Sequence, residues 1–278
     1  MGRRHNLLTY HKPAQLGDIA YWNGTSVATV PFSSWESSMT PIGVVVIPEN
    51  FLPDGKARIV SLSFVEKNGQ PGSQFSFMNW ATTSVNTSIT DYGAFPTTTN
   101  TSNTAESSSN NGYLPMDEAS RTIISYVNPN VLYKDSPYIP SPYLANNTLN
   151  PEYCKSLETA RGNVLSTFDG LANTRILVNL GSSYTAANAA WNYSDGYTNL
   201  QWYLPSIAEL GIMVTYRYLL SDILTTIGGT NLSSLGGHAS SSEYSSTYVY
   251  MLVSITGRIF TTEKSYASMC VRPFAILD

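Results

Sequence analysis

The alternation of apolar and polar positions divides the chain into strands, a long polar stretch, helices and strands again. Leu16 to Val30 holds two short alternating runs around Asn23-Gly24, a pair suited to the positive φ of a tight hairpin. That hairpin is expected to carry Ile19, Tyr21 and Val27 at apolar positions. Being marginal alone, it should pack on the main domain or on a neighbouring subunit. Ile42-Gly-Val-Val-Val-Ile47 is a continuous apolar run, as expected of a strand covered on both faces. After a Pro53-Asp-Gly55 turn, Ala57 to Val65 alternates again. Residues 81–112 are dominated by Ser, Thr and Asn, lack the apolar content for a core, and are predicted to form a long surface loop. Tyr133 to Pro142, with Pro137, Pro140 and Pro142, reads as an extended crossing.

Helical periodicity begins at Asn150-Pro151-Glu152, an N-cap, a first-turn proline and a first-turn acid, followed by Leu157, Ala160 and Val164. Further helices are predicted from Ala172 to Leu180, stopped by Gly181, and from Ala186 to Trp191. The sharpest local signal is Ser206-Ile-Ala-Glu209. It is a capping box, in which the serine hydroxyl accepts the N–H of Glu209 and the glutamate accepts the N–H of Ser206. A helix should therefore start near Ile207, with Leu210, Val214 and Tyr218 on one face and Gly228-Gly229 as its stop. Trp202-Tyr203-Leu204 just before it must be buried in a core. Thr247–Ile255 and Arg258–Thr262 read as a hairpin. Met269 to Phe274 reads as a terminal strand that Pro273 confines to a sheet edge or a strand end. The order implies an α+β fold whose two ends pair in one antiparallel sheet. It divides into an N-terminal attachment arm at 1–40 and a body at 41–278 with a loop-rich insertion at about 81–150.

Composition sharpens this picture in one respect. Charged residues make up 12% of the 278, against roughly 25% in an ordinary domain, and the net charge is −4, which argues against a nucleic-acid binder. Serine, threonine, asparagine, 19 glycines and 19 tyrosines take their place. Tyr with Ser, Gly and Asn supplies contact area and adaptable hydrogen bonds at low entropic cost, the chemistry of binding surfaces. It is also the composition of a β-rich domain with a neutral polar surface. Val44-Val-Val-Ile47 is far too short to span a membrane, so no membrane insertion is expected. The N-terminal residues show no signal-peptide core, so assembly in a cytoplasm is expected. Cys154 and Cys270 read as buried thiols.

Candidate chemistry is sparse. His5 and His11 fall in the arm, leaving His238, in a Gly-Gly-His-Ala-Ser stretch that reads as a structural or surface loop. The His and Cys spacings give no zinc site, and there is no phosphate loop or nucleophile elbow; neither cofactor nor metal is expected. Glu209 is accounted for by its cap, and Arg272 reads as a buried ion-pair or carbonyl-capping residue. The tract Ser240 to Tyr250, with Lys264-Ser265-Tyr266, is the best ligand-binding candidate. Its residues Tyr244, Ser246, Tyr248, Tyr250, Ser265 and Tyr266 would form a Tyr/Ser surface at strand ends, or else simple cross-strand aromatic pairs.

Five segments in order carry a family resemblance: Phe168-Asp-Gly-Leu-Ala-Asn-Thr174, Ala186-Ala-Asn-Ala-Ala190, Gly196 to Leu210, Ser240-Ser-Ser-Glu243 and Val271-Arg-Pro-Phe274. Together they resemble the C-terminal domain of collagen-like bacterial adhesins of the Lcl type, within the C-type-lectin-like fold that includes the formylglycine-generating enzymes. Ala239 stands where the family often has Trp before Ser-Ser-Ser-Glu. The paired cysteines of the copper oxidases and the calcium motifs of animal lectins are missing, so the resemblance implies neither activity. Gly17-Asp-Ile-Ala-Tyr-Trp-Asn-Gly24, Pro41 to Pro48 and Asp54 to Val60 are similar to structural proteins of tailed phages of gut bacteria.

The expectation is a non-enzymatic virion surface protein, a fibre or appendage component binding a host surface glycan or protein. It would be assembled in the host cytoplasm as a homo-oligomer, trimer or dimer, with other virion proteins. A purely structural head-decoration or collar protein and a bacterial cell-surface adhesin are the alternatives. An enzyme of the formylglycine-generating type would need copper.

Overall fold

The computed structural model describes residues 12–73, 75–84, 87, 112–113, 116–117, 122–123, 168–232, 237–244, 246–254 and 258–278. Over these residues the fold is α+β, with two large, mainly antiparallel sheets, two two-stranded ribbons and four α-helices. The strands in chain order are β1 (Ile19–Trp22), β2 (Val27–Val30), β3 (Thr40–Ile47), β4 (Arg58–Ser61), β5 (Phe64–Val65), β6 (Pro71–Gly72), β7 (Gly112–Tyr113), β8 (Met116–Asp117) and β9 (Thr122–Ile123). After them come helices α1 (Gly170–Leu180) and α2 (Thr185–Trp191), β10 (Trp202–Tyr203), and helices α3 (Ile207–Thr215) and α4 (Arg217–Thr226). The chain closes with β11 (Gly237–Glu243), β12 (Tyr248–Val253), β13 (Arg258–Glu263), β14 (Met269–Cys270) and β15 (Phe274–Ile276). One sheet has the order β10-β15-β4-β3-β1-β2, the other β14-β11-β12-β13-β7.

The first sheet joins the two ends of the chain, as the alternation of patterns implied: β15 pairs antiparallel with β4, beside β3 and β1. Its central strand β3 buries both faces. Val44 and Val46 enter the core with α3 and α4, while Ile42 and Val45 enter a second core with the alanines of α2 and with Trp80 and Trp202. That is why its sequence is continuous rather than alternating. Gly43 permits the β3–β4 contact, since a Cβ there would stand 2.4 Å from the carbonyl oxygen of Val60. The Asn23-Gly24 hairpin forms as read, with Gly24 at φ +94°. It is not a separate arm: β1 is hydrogen-bonded into the sheet against β3, so residues 19–30 are part of the body. Residues 1–11, most of the 81–150 insertion and the helix expected after Asn150 lie outside the described residues.

The capping box at α3 is complete. Ser206 Oγ accepts from Glu209 N–H, and Glu209 Oε2 accepts from Ser206 N–H at 2.7 Å. Trp202, Tyr203 and Leu204 are all buried. The single helix expected from Ile207 to Gly228 is instead two, because Tyr216 leaves helical geometry at φ −101°, ψ 18°. The break shifts the phase of the apolar face. Leu210 and Val214 stay in the core, but Tyr218 turns out to solvent at 65% exposure, under the Arg217 guanidinium. The expected terminal strand is also two. β14 lies parallel to β11 in the second sheet and β15 crosses to the first, with Pro273 between them where no ladder N–H is required. One strand was legible only in part: Gly237-His-Ala reads as a loop and Ser240–Glu243 as a binding tract or a strand, but Gly237–Glu243 is β11, fully buried between β14 and β12.

The box predicts a graded loss of stability. Ser206→Ala, which removes the cap, should cost about 1 kcal/mol. Glu209→Ala should cost about 3 kcal/mol, because the buried Ser206 N–H and Tyr203 hydroxyl both lose their acceptor. Urea unfolding of the two variants measures the difference; equal losses would contradict this account.

Candidate binding surface

A polar strand in a core must satisfy every hydrogen-bonding group, and β11 does so by holding other elements in place. Its pairing with β12 is irregular between Ala239 and Glu243. There Ser240 Oγ donates to the Tyr250 carbonyl at 2.7 Å and accepts from Ser242 N–H at 3.2 Å. Ser241 N–H reaches the Pro205 carbonyl at 2.8 Å, and Ser242 Oγ accepts from Ile207 N–H at 3.0 Å. The serines thus hold the start of α3. Trp80 Nε1 donates to the Ser240 carbonyl at 2.8 Å. Beyond them, Glu243 and Lys264 form an ion pair with side chains 3% and 0% exposed. Thr87 Oγ1 donates to the same carboxylate at 2.7 Å, and the ammonium lies 5.0 Å from the Trp80 ring centroid. Burial lowers the pKa of Lys264, and the glutamate partly opposes it.

This buried pair is the base of the surface proposed from sequence. Residues 244–247 connect β11 to β12, and 264–268 connect β13 to β14, at the same end of the sheet. Tyr244 N–H bonds to the Tyr248 carbonyl (3.1 Å) and Lys264 N–H to the Thr247 carbonyl (3.0 Å). Tyr248 is 38% exposed and Tyr266 64%, Ser246 and Ser265 are exposed, and Tyr244 is partly buried. Five of the six candidates therefore gather at one end. The sixth, Tyr250, is a correction: it is fully buried in the core, and its ring meets Tyr244 edge-to-face at 5.5 Å. Alternation puts Tyr250 on the same face as the exposed Tyr248, but from Val249 onward the strand is covered on both faces, so Tyr250 is buried. Phe75 and Phe77 form a separate exposed aromatic pair that sequence reasoning did not single out. They are 54% and 38% exposed and edge-to-face at 6.5 Å, on the segment that pairs with β14 through Met78 and Met269. That pairing joins residues 191 positions apart, so no local signal announces it.

The remaining reactive side chains are occupied structurally. His238 is buried in β11, stacked on Phe64 at 5.6 Å, with Nε2 3.2 Å from the Leu232 carbonyl. Burial and the nearby Arg272 charge lower its pKa to about 4. Arg272 is a carbonyl cap, as one sequence reading had it: it donates to Ser61, Leu62 and Thr230 carbonyls and packs 4.8 Å from the Phe64 centroid. Burial lowers its pKa to about 9. Cys270 is a buried thiol, its sulfur 3.9 Å from His238 Nδ1. Glu209 also accepts from the Tyr203 hydroxyl at 2.8 Å, and burial raises its pKa. A pocket of about 190 Å³ beside it, lined by Arg58, Arg175, Tyr203 and Glu209 among others, is smaller than the ~300–1,000 Å³ of usual ligand sites. Among the described residues no group of three His, Cys, Asp or Glu side chains is placed to hold a metal ion, and no helix is long and apolar enough to cross a membrane.

No family model matches the chain, and no curated protein does. Among solved structures, it is similar to a fimbrial protein from Bacteroides ovatus, at 16% sequence identity and a TM-score of 0.48. The match covers 94% of this chain and 48% of the fimbrial protein, so the chain spans about half the length of that neighbour.

Two measurements test the base of the surface. Glu243→Ala should destabilise by about 3–5 kcal/mol, since it strands a buried ammonium, while the double substitution Glu243→Gln with Lys264→Met should recover most of that loss. For His238, the unfolded chain takes up its proton near pH 6.5 and the folded chain only near 4. The neutral imidazole is thus the folded form. Its contribution is complete above pH 6.5 and is lost as pH falls toward 4, at up to about 1.4 kcal/mol per pH unit. His238→Gln should remove that slope from a pH series of unfolding midpoints, and an unchanged slope would refute the assignment.

Proposed function

We propose that this is a non-enzymatic surface protein of a virion, a fibre or appendage component whose Tyr248–Tyr266 end contacts a host glycan or protein. The observation that carries this reading is the contrast between the two layers of that end. Exposed tyrosines and serines stand on or beside connections whose base is a buried, bonded cluster of Glu243, Lys264, Thr87 and Trp80. A rigid base under adaptable rings suits recognition, because little ordering entropy is lost when a ligand binds.

The body, on this proposal, is a C-type-lectin-like domain. Three features support it: the buried Trp-Tyr-Leu-Pro-Ser box entering α3, the buried Ser-Ser-Ser-Glu strand behind it, and the Val-Arg-Pro-Phe segment that brings the C-terminus back beside the N-terminal strands. Glu209, His238 and Arg272 are each committed to internal bonds, which supports a binding rather than a catalytic role.

The test is adsorption to host cells. Tyr248→Ala with Tyr266→Ala should cost about 1–2 kcal/mol, since Tyr266 is largely exposed and Tyr248 partly covered at the start of β12, should leave the fold intact by circular dichroism, and should abolish attachment of the protein or of particles carrying it. Attachment at the parental level by a correctly folded double variant would sink the ligand claim. Immunogold labelling of particles tests the virion assignment separately.

A further inference from the structure

Among the described residues the first sheet ends at β2, its outermost strand. The bond from Asn23 N–H to the Ser26 carbonyl, 3.1 Å, closes the hairpin. With the register Trp22↔Val27 to Ile19↔Val30, ladder alternation makes Tyr21–Ala28 and Ile19–Val30 the bonded pairs. The N–H and C=O groups of Val27 and Thr29 therefore point away from β1. Among the described residues no strand pairs with that side. Sheet edges are usually blocked by charge, proline or a bulge. Val27-Ala-Thr-Val30 has no charge and no proline, and its register with β1 is unbroken. Val27, Ala28 and Thr29 also line a groove of about 620 Å³, in which two cations, Lys12 and Lys56, are balanced by two acids, Glu49 and Asp278.

We infer that β2 is a self-pairing edge, to which a second copy of this chain adds its own β2, antiparallel, about a two-fold axis through Ala28. A second copy of β2 matches this register. The outward-pointing residues sit one on each side of Ala28, so a two-fold there sets Val27 opposite Thr29 of the second copy and Thr29 opposite its Val27. Each pair exchanges N–H···O=C bonds in both directions. Ala28 faces Ala28 of the second copy at the non-bonded position, where Cα atoms approach to about 4.5 Å and a small side chain fits. The flanking pairs are β-branched, which suits cross-strand packing. The balanced groove charge sets no like-charge field against an identical neighbour. The two six-stranded sheets become one, closed by the isologous symmetry commonest among homo-oligomers. This pairing does not rest on the tyrosine surface, which is carried by the second sheet.

Cross-linking and sedimentation of the full chain test it. With Cys154→Ser as background, Ala28→Cys should give a disulfide-linked dimer under mild oxidation, since the facing positions are within disulfide reach; Thr25→Cys at the hairpin tip should not. By sedimentation the parent chain should be a dimer. Thr29→Pro removes an outward N–H without touching the β1 ladder, and Ala28→Lys sets two like charges face to face. Each should weaken the dimer by about tenfold or more with an unchanged circular dichroism spectrum. A parent chain monomeric at every concentration overturns the proposal. So does a dimer that survives both substitutions and gives no Ala28→Cys cross-link. If Thr29→Pro fails to fold, Ala28→Lys and the cross-link decide.

Discussion

The fold depends on burying a helix start. The N-terminus of α3 carries backbone N–H groups that no helical carbonyl can satisfy, and it is placed in the middle of the protein. The box satisfies part of that demand from within, through Ser206 and Glu209, and β11 satisfies more through Ser242, while Ser241 bonds the Pro205 carbonyl just before it. Gly170 lets α1 approach the same point: a Cβ there would lie 2.1 Å from a Glu209 carboxylate oxygen. Neither helix nor strand could move without leaving buried polar groups unpaired, which costs about 1–3 kcal/mol for each.

The same logic continues along β11 to the proposed surface. Three serines, a glutamate and a lysine are buried where apolar residues would be the simpler choice. A buried ion pair is weak support for stability in itself, because desolvation offsets its attraction. Its role here is geometric. Glu243 is the last residue of β11 and Lys264 the first after β13, so their pairing fixes the connection that leads into Tyr248 and the one that carries Tyr266.

Local signals in the sequence were most reliable where one short segment meets its own needs. The capping box, the Asn23-Gly24 hairpin, the β12–β13 hairpin and the apolar β3 were all legible, since each rests on bonds between near neighbours or on a single buried pattern. The tyrosine end was legible in part: composition pointed to the tract, but the face on which each ring falls depends on what covers the strand, and Tyr250 is covered.

Sequence by itself therefore determined most of the element types, the α3 start, the double-sided burial of β3 and the tract where exposed tyrosines would gather. Only the tertiary structure decided that Gly237–Glu243 is a central strand, that Tyr216 breaks a helix, that Pro273 divides two strands between two sheets, and that the hairpin at 19–30 belongs to the body. The physical reason is common to β11, the division at Pro273 and the hairpin. Each is fixed by partners far away in the chain: the serines by Pro205 and Ile207, β15 by β4, β1 by β3. A polar residue reads as surface until the group that satisfies it is known, and that group is supplied by the fold.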